Sequence, residues 1–85
     1  MTAKTQLTGE LTQQRVPELL TQIGTLAAAT EIDLSGVTRT DSAGLALLLE
    51  ISRRSHHRPV RFVRTPEQLR ALAQFFGIAA LLRLT

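Results

Sequence analysis

Residues 41–45 read Asp-Ser-Ala-Gly-Leu. An acid, a hydroxyl and a glycine in a row are the parts of a nucleophile, a phosphate acceptor or a helix cap. A serine hydrolase would place its nucleophile on G-x-S-x-G after a strand, and here Arg39-Thr40-Asp41 precedes Ser42. The histidine such a serine needs is also misplaced. His56 and His57 follow the same predicted helix at its far end, roughly 20 Å from Ser42. Two adjacent histidines cannot both face one ion from a regular helix or strand, and the chain has no cysteine, so no metal site is expected. Gly36 and Gly44 flank Val37–Ala43 without the lysine of a phosphate-binding loop. No catalytic constellation and no cofactor are therefore expected.

A cap explains Asp41 and Ser42 structurally, since both side chains satisfy the free amides of a first helical turn. A helix N-terminus is also a place where a phosphorylated hydroxyl acts. Asp33 and Asp41 would repel a phosphate on Ser42. Gly44 costs helix propensity in that first turn, and its bare backbone admits close approach by a partner or by a neighbouring strand.

The elements that must position these residues alternate. Residues 4–11 read as a short strand with a turn at Gly9. Residues 15–29 read as one helix, with Val16, Leu19, Leu20, Ile23, Leu26 and Ala27 at helical spacing and Pro17 in its first turn. Residues 30–37 read as a strand centred on Ile32 and Leu34, closing in a turn at Ser35-Gly36. Residues 41–55 form the strongest helix. Leu45, Leu48, Leu49 and Ser52 make its stripe, Leu47 and Ile51 widen it, and Arg53 and Arg54 suit its last turn. Residues 55–59 read as a loop and 60–64 as a strand with Val60 and Phe62 inward. Thr65 and Gln68 have the spacing of a capping box. Pro66 takes the first position of the helix that follows, Leu69, Leu72, Ala73 and Phe76 make its inner face, and Gly77 ends it. Residues 78–84 form either a last strand or one helical turn, with core leucines.

Strand–helix units repeating three times predict an α/β domain: a short, largely parallel sheet of about four strands with helices packed on it. Eighty-five residues make one domain, 44% apolar and nearly all aliphatic, with Phe62, Phe75 and Phe76 as its aromatics. The N-terminus has no signal-peptide pattern and the longest apolar run is too short to span a bilayer, so a cytoplasmic location is expected. Nine of the ten basic residues are arginine, and six of the ten lie between Arg53 and Arg70 against the single acid Glu67. That stretch is either a solvated face or a surface for an anionic partner. Nucleic acid is the less favoured partner, because Phe62 alone could stack on a base there and no polar reading helix accompanies it.

These segments, Asp33-Leu34-Ser35-Gly36-Val37, Asp41-Ser42-Ala43-Gly44-Leu45 and the run Arg58–Leu82, together resemble the STAS domain family from about Leu7 to Leu82. The resemblance implies a small α/β sandwich that binds partners rather than catalyses. Two branches compete. In anti-sigma factor antagonists a kinase phosphorylates the serine before the motif glycine. Ala43 holds that place here, which leaves Ser42 as the one possible acceptor. The MlaB-like branch, whose motif D-[ST]-[GA]-G-L-A-L-L-L fits residues 41–49, implies a subunit of a phospholipid-transporting ABC complex. It would bind and support the ATPase (MlaF-like), peripheral to the inner membrane through a complex that includes a permease, with no direct membrane insertion and no direct nucleic-acid contact. On that branch the partner surface is Val37, Thr38, Arg39, Thr40, Asp41, Ser42 and Gly44. Ser42 would make a hydrogen bond and Arg39 a rim contact. Leu45 and Leu49 would be core, and Leu47 or Leu48 would face the interface. Two departures from the family carry consequences. The strand that usually precedes residues 4–11 has almost no residues available, which exposes that edge of the sheet. Thr40 replaces an aliphatic residue, which predicts a wetter loop.

Overall fold

β1 (Lys4–Leu11), β2 (Glu31–Thr40) and β3 (Arg61–Val63) form one parallel sheet in the order β1-β2-β3. The structure, a computed structural model, describes residues 4–55 and 59–85. The predicted loop at His56-His57 and the place of a preceding strand at residues 1–3 lie outside the described residues. Parallel neighbours cannot be joined by tight turns, so helices carry each crossover. α1 (Val16–Leu20) and α2 (Ile23–Ala28) lead from β1 to β2, and α3 (Ser42–Arg54) leads from β2 to β3. α4 (Glu67–Phe75) and α5 (Ala79–Leu82) follow β3.

Period-two alternation aims one face of the sheet at the helices. Leu7, Ile32, Leu34 and Phe62 are buried and meet Leu19, Leu26, Leu45, Leu48, Ile51, Leu69 and Ala73. The other face shows Lys4, Gln6 and Arg61 to solvent. Its arginines answer its acids, Arg61 reaching Glu31 at 3.9 Å and Arg64 reaching Asp33 at 2.8 Å.

The sheet has three strands among the described residues, not about four. The last stretch resolves as the helical turn α5, after which Thr85 takes over the outer edge of β3. Its N–H and hydroxyl both donate to the Phe62 carbonyl, at 3.1 and 2.9 Å. One residue thus does there what another strand would do.

Neither predicted turn interrupts its strand. β1 runs through Gly9 (φ 84°), and the irregularity becomes a shift of register against β2 between Gly9 and Glu10, as a bulge produces. The guanidinium of Arg15 lies over Gly9, where a Cβ would sit 2.6 Å from Nη1. It donates to the Thr8 carbonyl at 2.8 Å and the Glu10 carbonyl at 3.4 Å. The edge expected to lie exposed is therefore partly closed by a side chain of the same molecule. β2 likewise continues through Ser35-Gly36 to Thr40, because Thr8, Gly9, Glu10 and Leu11 keep pairing with it.

The helix expected over 15–29 is broken at Thr21-Gln22. The Thr21 hydroxyl donates to the Glu18 carbonyl at 2.6 Å, and the Gln22 N–H closes onto Leu19 O at 2.9 Å. These tight local bonds compete with the i→i−4 ladder, and Leu20 turns outward, 45% exposed. α4 ends as its sequence predicts. The N–H of Gly77 (φ 74°) meets Gln74 O at 3.0 Å and that of Ile78 meets Ala73 O at 2.9 Å, the paired closure of a Schellman motif. Its start differs. Pro66 is the capping position and no side chain caps the helix.

Candidate functional site

The Asp41–Leu45 motif begins where β2 ends. Asp41 stays extended and its Oδ1 accepts from the Gly44 N–H at 3.1 Å, an N-cap. Its Oδ2 accepts from the Gln13 N–H at 2.9 Å, and its own N–H donates to Leu11 O at 3.1 Å. One residue thereby joins β1, the segment after β1 and α3. The Gln13 amide foremost, with the Gly44 amide and the Arg39 charge adding to it, holds the Asp41 carboxyl below the usual carboxylate range.

Gly44 settles the two readings of its missing side chain. A Cβ there would overlap the Leu11 carbonyl oxygen and lie 2.7 Å from the Leu11 Cβ. The close approach is made by the neighbouring strand, and Gly44 is buried beneath it.

Thr40 is buried, contrary to the wetter loop expected from a polar residue there. Its N–H donates to Gln68 Oε1 and its carbonyl accepts from Gln68 Nε2, both at 3.0 Å. The primary amide of α4 thus replaces a missing strand at that point of β2. Gln68 is spent on this clamp, so the capping box with Thr65 does not form. The hydroxyls of Thr40 and Thr65 are both buried and have no partner among the described residues.

The seven expected contact residues therefore divide. Residues 37–40 are strand, not loop, and Val37, Thr40 and Gly44 are buried. Asp41 is half-buried and engaged. Thr38, Arg39 and Ser42 remain exposed, with Arg39 4.0 Å from Glu10. Leu47 and Leu48, one of which was expected at the interface, are both buried at 2% and 0% exposure, while Leu49 is the half-buried leucine.

What the sequence reading missed lies beside Ser42. Ser42, Leu45, Ala46 and Leu49 face Phe76 and Ile78 across a groove of about 240 Å3. Phe76, expected in the core, is 51% exposed and packs edge-on against Phe75, itself 82% exposed. Phe76 lies one residue past α4, inside the closure that Gly77 makes, so it does not continue the inner face of that helix. That glycine is the signal that was available.

Among the described residues the Ser42 hydroxyl has no hydrogen-bond partner and no base beside it. The geometry suits recognition: a free hydroxyl at one end of an apolar groove, on a helix fixed by its cap. No three histidine, cysteine, aspartate or glutamate residues group together among the described residues, and no described helix is long and apolar enough to cross a membrane. The arginine-rich stretch is largely answered from within. Arg53 and Arg54 meet Glu50, Arg61 meets Glu31 and Arg64 meets Asp33.

Comparison with known proteins identifies the family and the fold. The family described as "Mlab, STAS domain" matches residues 2–83. No curated protein sequence matches the chain. Among solved structures, the anti-sigma factor antagonist SpoIIAA in its unphosphorylated form superposes with a TM-score of 0.69 at 24% identity, over 100% of this chain and 81% of that one. At that identity the likeness is one of fold.

Proposed function

This chain belongs to the MlaB-type STAS domain family, and from that premise we propose that it is a non-enzymatic docking subunit of an ABC transporter that moves phospholipids. Its partner is the ATPase of that complex, which holds it at the inner membrane from the cytoplasmic side. The observation that carries the reading is the groove beside Ser42. Leu45, Ala46, Leu49, Phe76 and Ile78 line it, and Phe75 stands exposed next to it. Apolar side chains gathered on one surface and rimmed by polar groups mark protein contacts. In this reading Phe75 and Phe76 are the anchors, Ser42 supplies a hydrogen bond, and Thr38 and Arg39 form the polar rim.

Ser42 is exposed at the start of α3 and its side chain supports nothing internal, so a change there tests docking without testing folding. Ser42→Glu should cut recovery of the ATPase in a pull-down from native membranes at least tenfold and leave the thermal midpoint within about 1 °C. Recovery at the wild-type level would sink the proposal.

The free Ser42 hydroxyl also favours a second reading, an anti-sigma factor antagonist switched by phosphorylation. Incubation with the cognate kinase and intact-mass measurement separates the two. A gain of one phosphate that disappears in Ser42→Ala selects the switch.

A further inference from the structure

A second concavity of the described residues lies away from the motif, at the opposite end of α3. The C-terminal half of α3, the approach to β3 and α5 enclose a cleft of about 430 Å3. Small-molecule sites span roughly 300–1,000 Å3 and have apolar walls with a few placed polar groups. Leu49, Val60, Leu81 and Leu82 supply such walls, and Arg53 and Arg83 supply the charge. Leu82 and Val60 are buried behind the cleft, while Leu81 is held 68% exposed at its mouth. Among the described residues no aromatic ring lines it, so these walls offer a flexible aliphatic chain apolar contact and no stacking surface.

The charge is unbalanced. Glu50 is shared by two guanidiniums, Arg53 at 2.6 Å and Arg54 at 2.7 Å. Among the described residues that end of α3 keeps one positive charge over. Arg83 ends α5 in a left-handed conformation (φ 54°, ψ 49°) that non-glycine residues seldom adopt. Among the described residues it pairs with no carboxylate. An apolar slot with an unpaired guanidinium at its edge is complementary to an aliphatic chain that ends in an anion.

We propose that this cleft binds a single-chain aliphatic carboxylate. The tail lies along Leu49, Val60, Leu81 and Leu82, and the carboxylate meets Arg83 with Arg53 beside it. Among the described residues the site shares only Leu49 with the Ser42 groove, and it does not rest on the docking role.

The test is a two-dimensional amide NMR titration of the full chain with octanoate, decanoate and dodecanoate below their micellar concentrations. Saturable shifts should cluster at Leu49, Val60, Leu81 and Leu82. Affinity should rise about fourfold for each added methylene until the cleft is full, since each buried methylene contributes about 0.8 kcal/mol. Arg83→Glu should weaken decanoate about tenfold or more and leave decanol unchanged. Leu81→Asp, at an exposed position, is the second variant and should weaken both. The proposal is overturned by the absence of saturable shifts at millimolar decanoate. It is equally overturned by decanol or decyltrimethylammonium binding as tightly as decanoate, or by shifts centred on Phe75 and Phe76.

Discussion

Gly44 shows what a single missing side chain does. Its backbone touches the Leu11 carbonyl, so α3 sits closer to β1 than any larger residue would allow. Gly44→Ala improves helix propensity by about 1 kcal/mol. It also forces a methyl group into a strand carbonyl, and overpacking of this kind costs about 1–3 kcal/mol and occasionally more. The expected outcome is a lower urea midpoint with an unchanged m-value. A higher midpoint would mean that α3 lifts off β1 at little cost. The motif residues thus serve different ends: Asp41 and Gly44 fix the helix to the sheet, and Ser42 alone is left free.

At the scale of elements, the amide of Gln68 joins α4 to the end of β2. Gln68→Glu keeps the acceptor for the Thr40 N–H but sets a carboxylate oxygen against the Thr40 carbonyl. A loss of about 1–3 kcal/mol at pH 7 follows. Protonation restores the donor, so the folded state raises the pKa of the new carboxyl above its unfolded value. The variant's stability relative to the parent therefore recovers as pH falls and is lost as pH rises through that pKa. Urea titrations of both proteins at pH 7 and pH 4 check this, and an unchanged difference would remove the clamp as its cause. Thr65→Val should be neutral or stabilising, because the Thr65 hydroxyl is buried and has no partner among the described residues. A working N-cap would instead lose about 1 kcal/mol. Thermal denaturation of the variant decides between them.

These elements also show where the sequence was legible. α3 was readable from its cap, its leucine stripe and its terminal arginines, because each acts within one helix. The Schellman closure at Gly77 was readable for the same reason. Ser35-Gly36 misled, since β1 pairs along the whole of β2 and overrides a local turn signal. Thr65-x-x-Gln68 misled in the same way: Gln68 found a partner on β2 that no local pattern reveals. The site was half legible. Ser42 and Arg39, expected at a partner contact, are exposed. The groove was not legible, because it forms between α3 and the end of α4.

At the scale of the whole molecule, charge is managed by ion pairs on the sheet's open face and along α3. The Ser35 side chain and amide, with the Arg64 guanidinium, bring Asp33 from 3.8 to about 2. Hydrogen bonds from Arg53 and then Arg54 bring Glu50 from 4.5 to about 2. Both folded values lie below the unfolded ones, so the unfolded chain takes up protons first as acid is added. Their contribution is complete above about pH 5 and is lost as pH falls towards 2. The urea midpoint should be level from pH 7 to 5 and fall between 4.5 and 2. Asp33→Asn should flatten part of that fall, and an equal fall in the variant would place the acid sensitivity elsewhere.

The order β1-β2-β3 also dictates an order of events. β1 and β3 are not neighbours in the sheet, and the strand each pairs with is β2. As the chain emerges during synthesis, β1 must wait without a partner until residues 31–40 have followed it. Closing so wide a loop costs entropy before any ladder bond repays it, which makes parallel pairing intrinsically slow. β2 is therefore the seed of assembly. An early chain that stops short of Glu31 carries β1 without β2 to pair with, and Arg15, already beside it in sequence, is the first group able to shield its carbonyls.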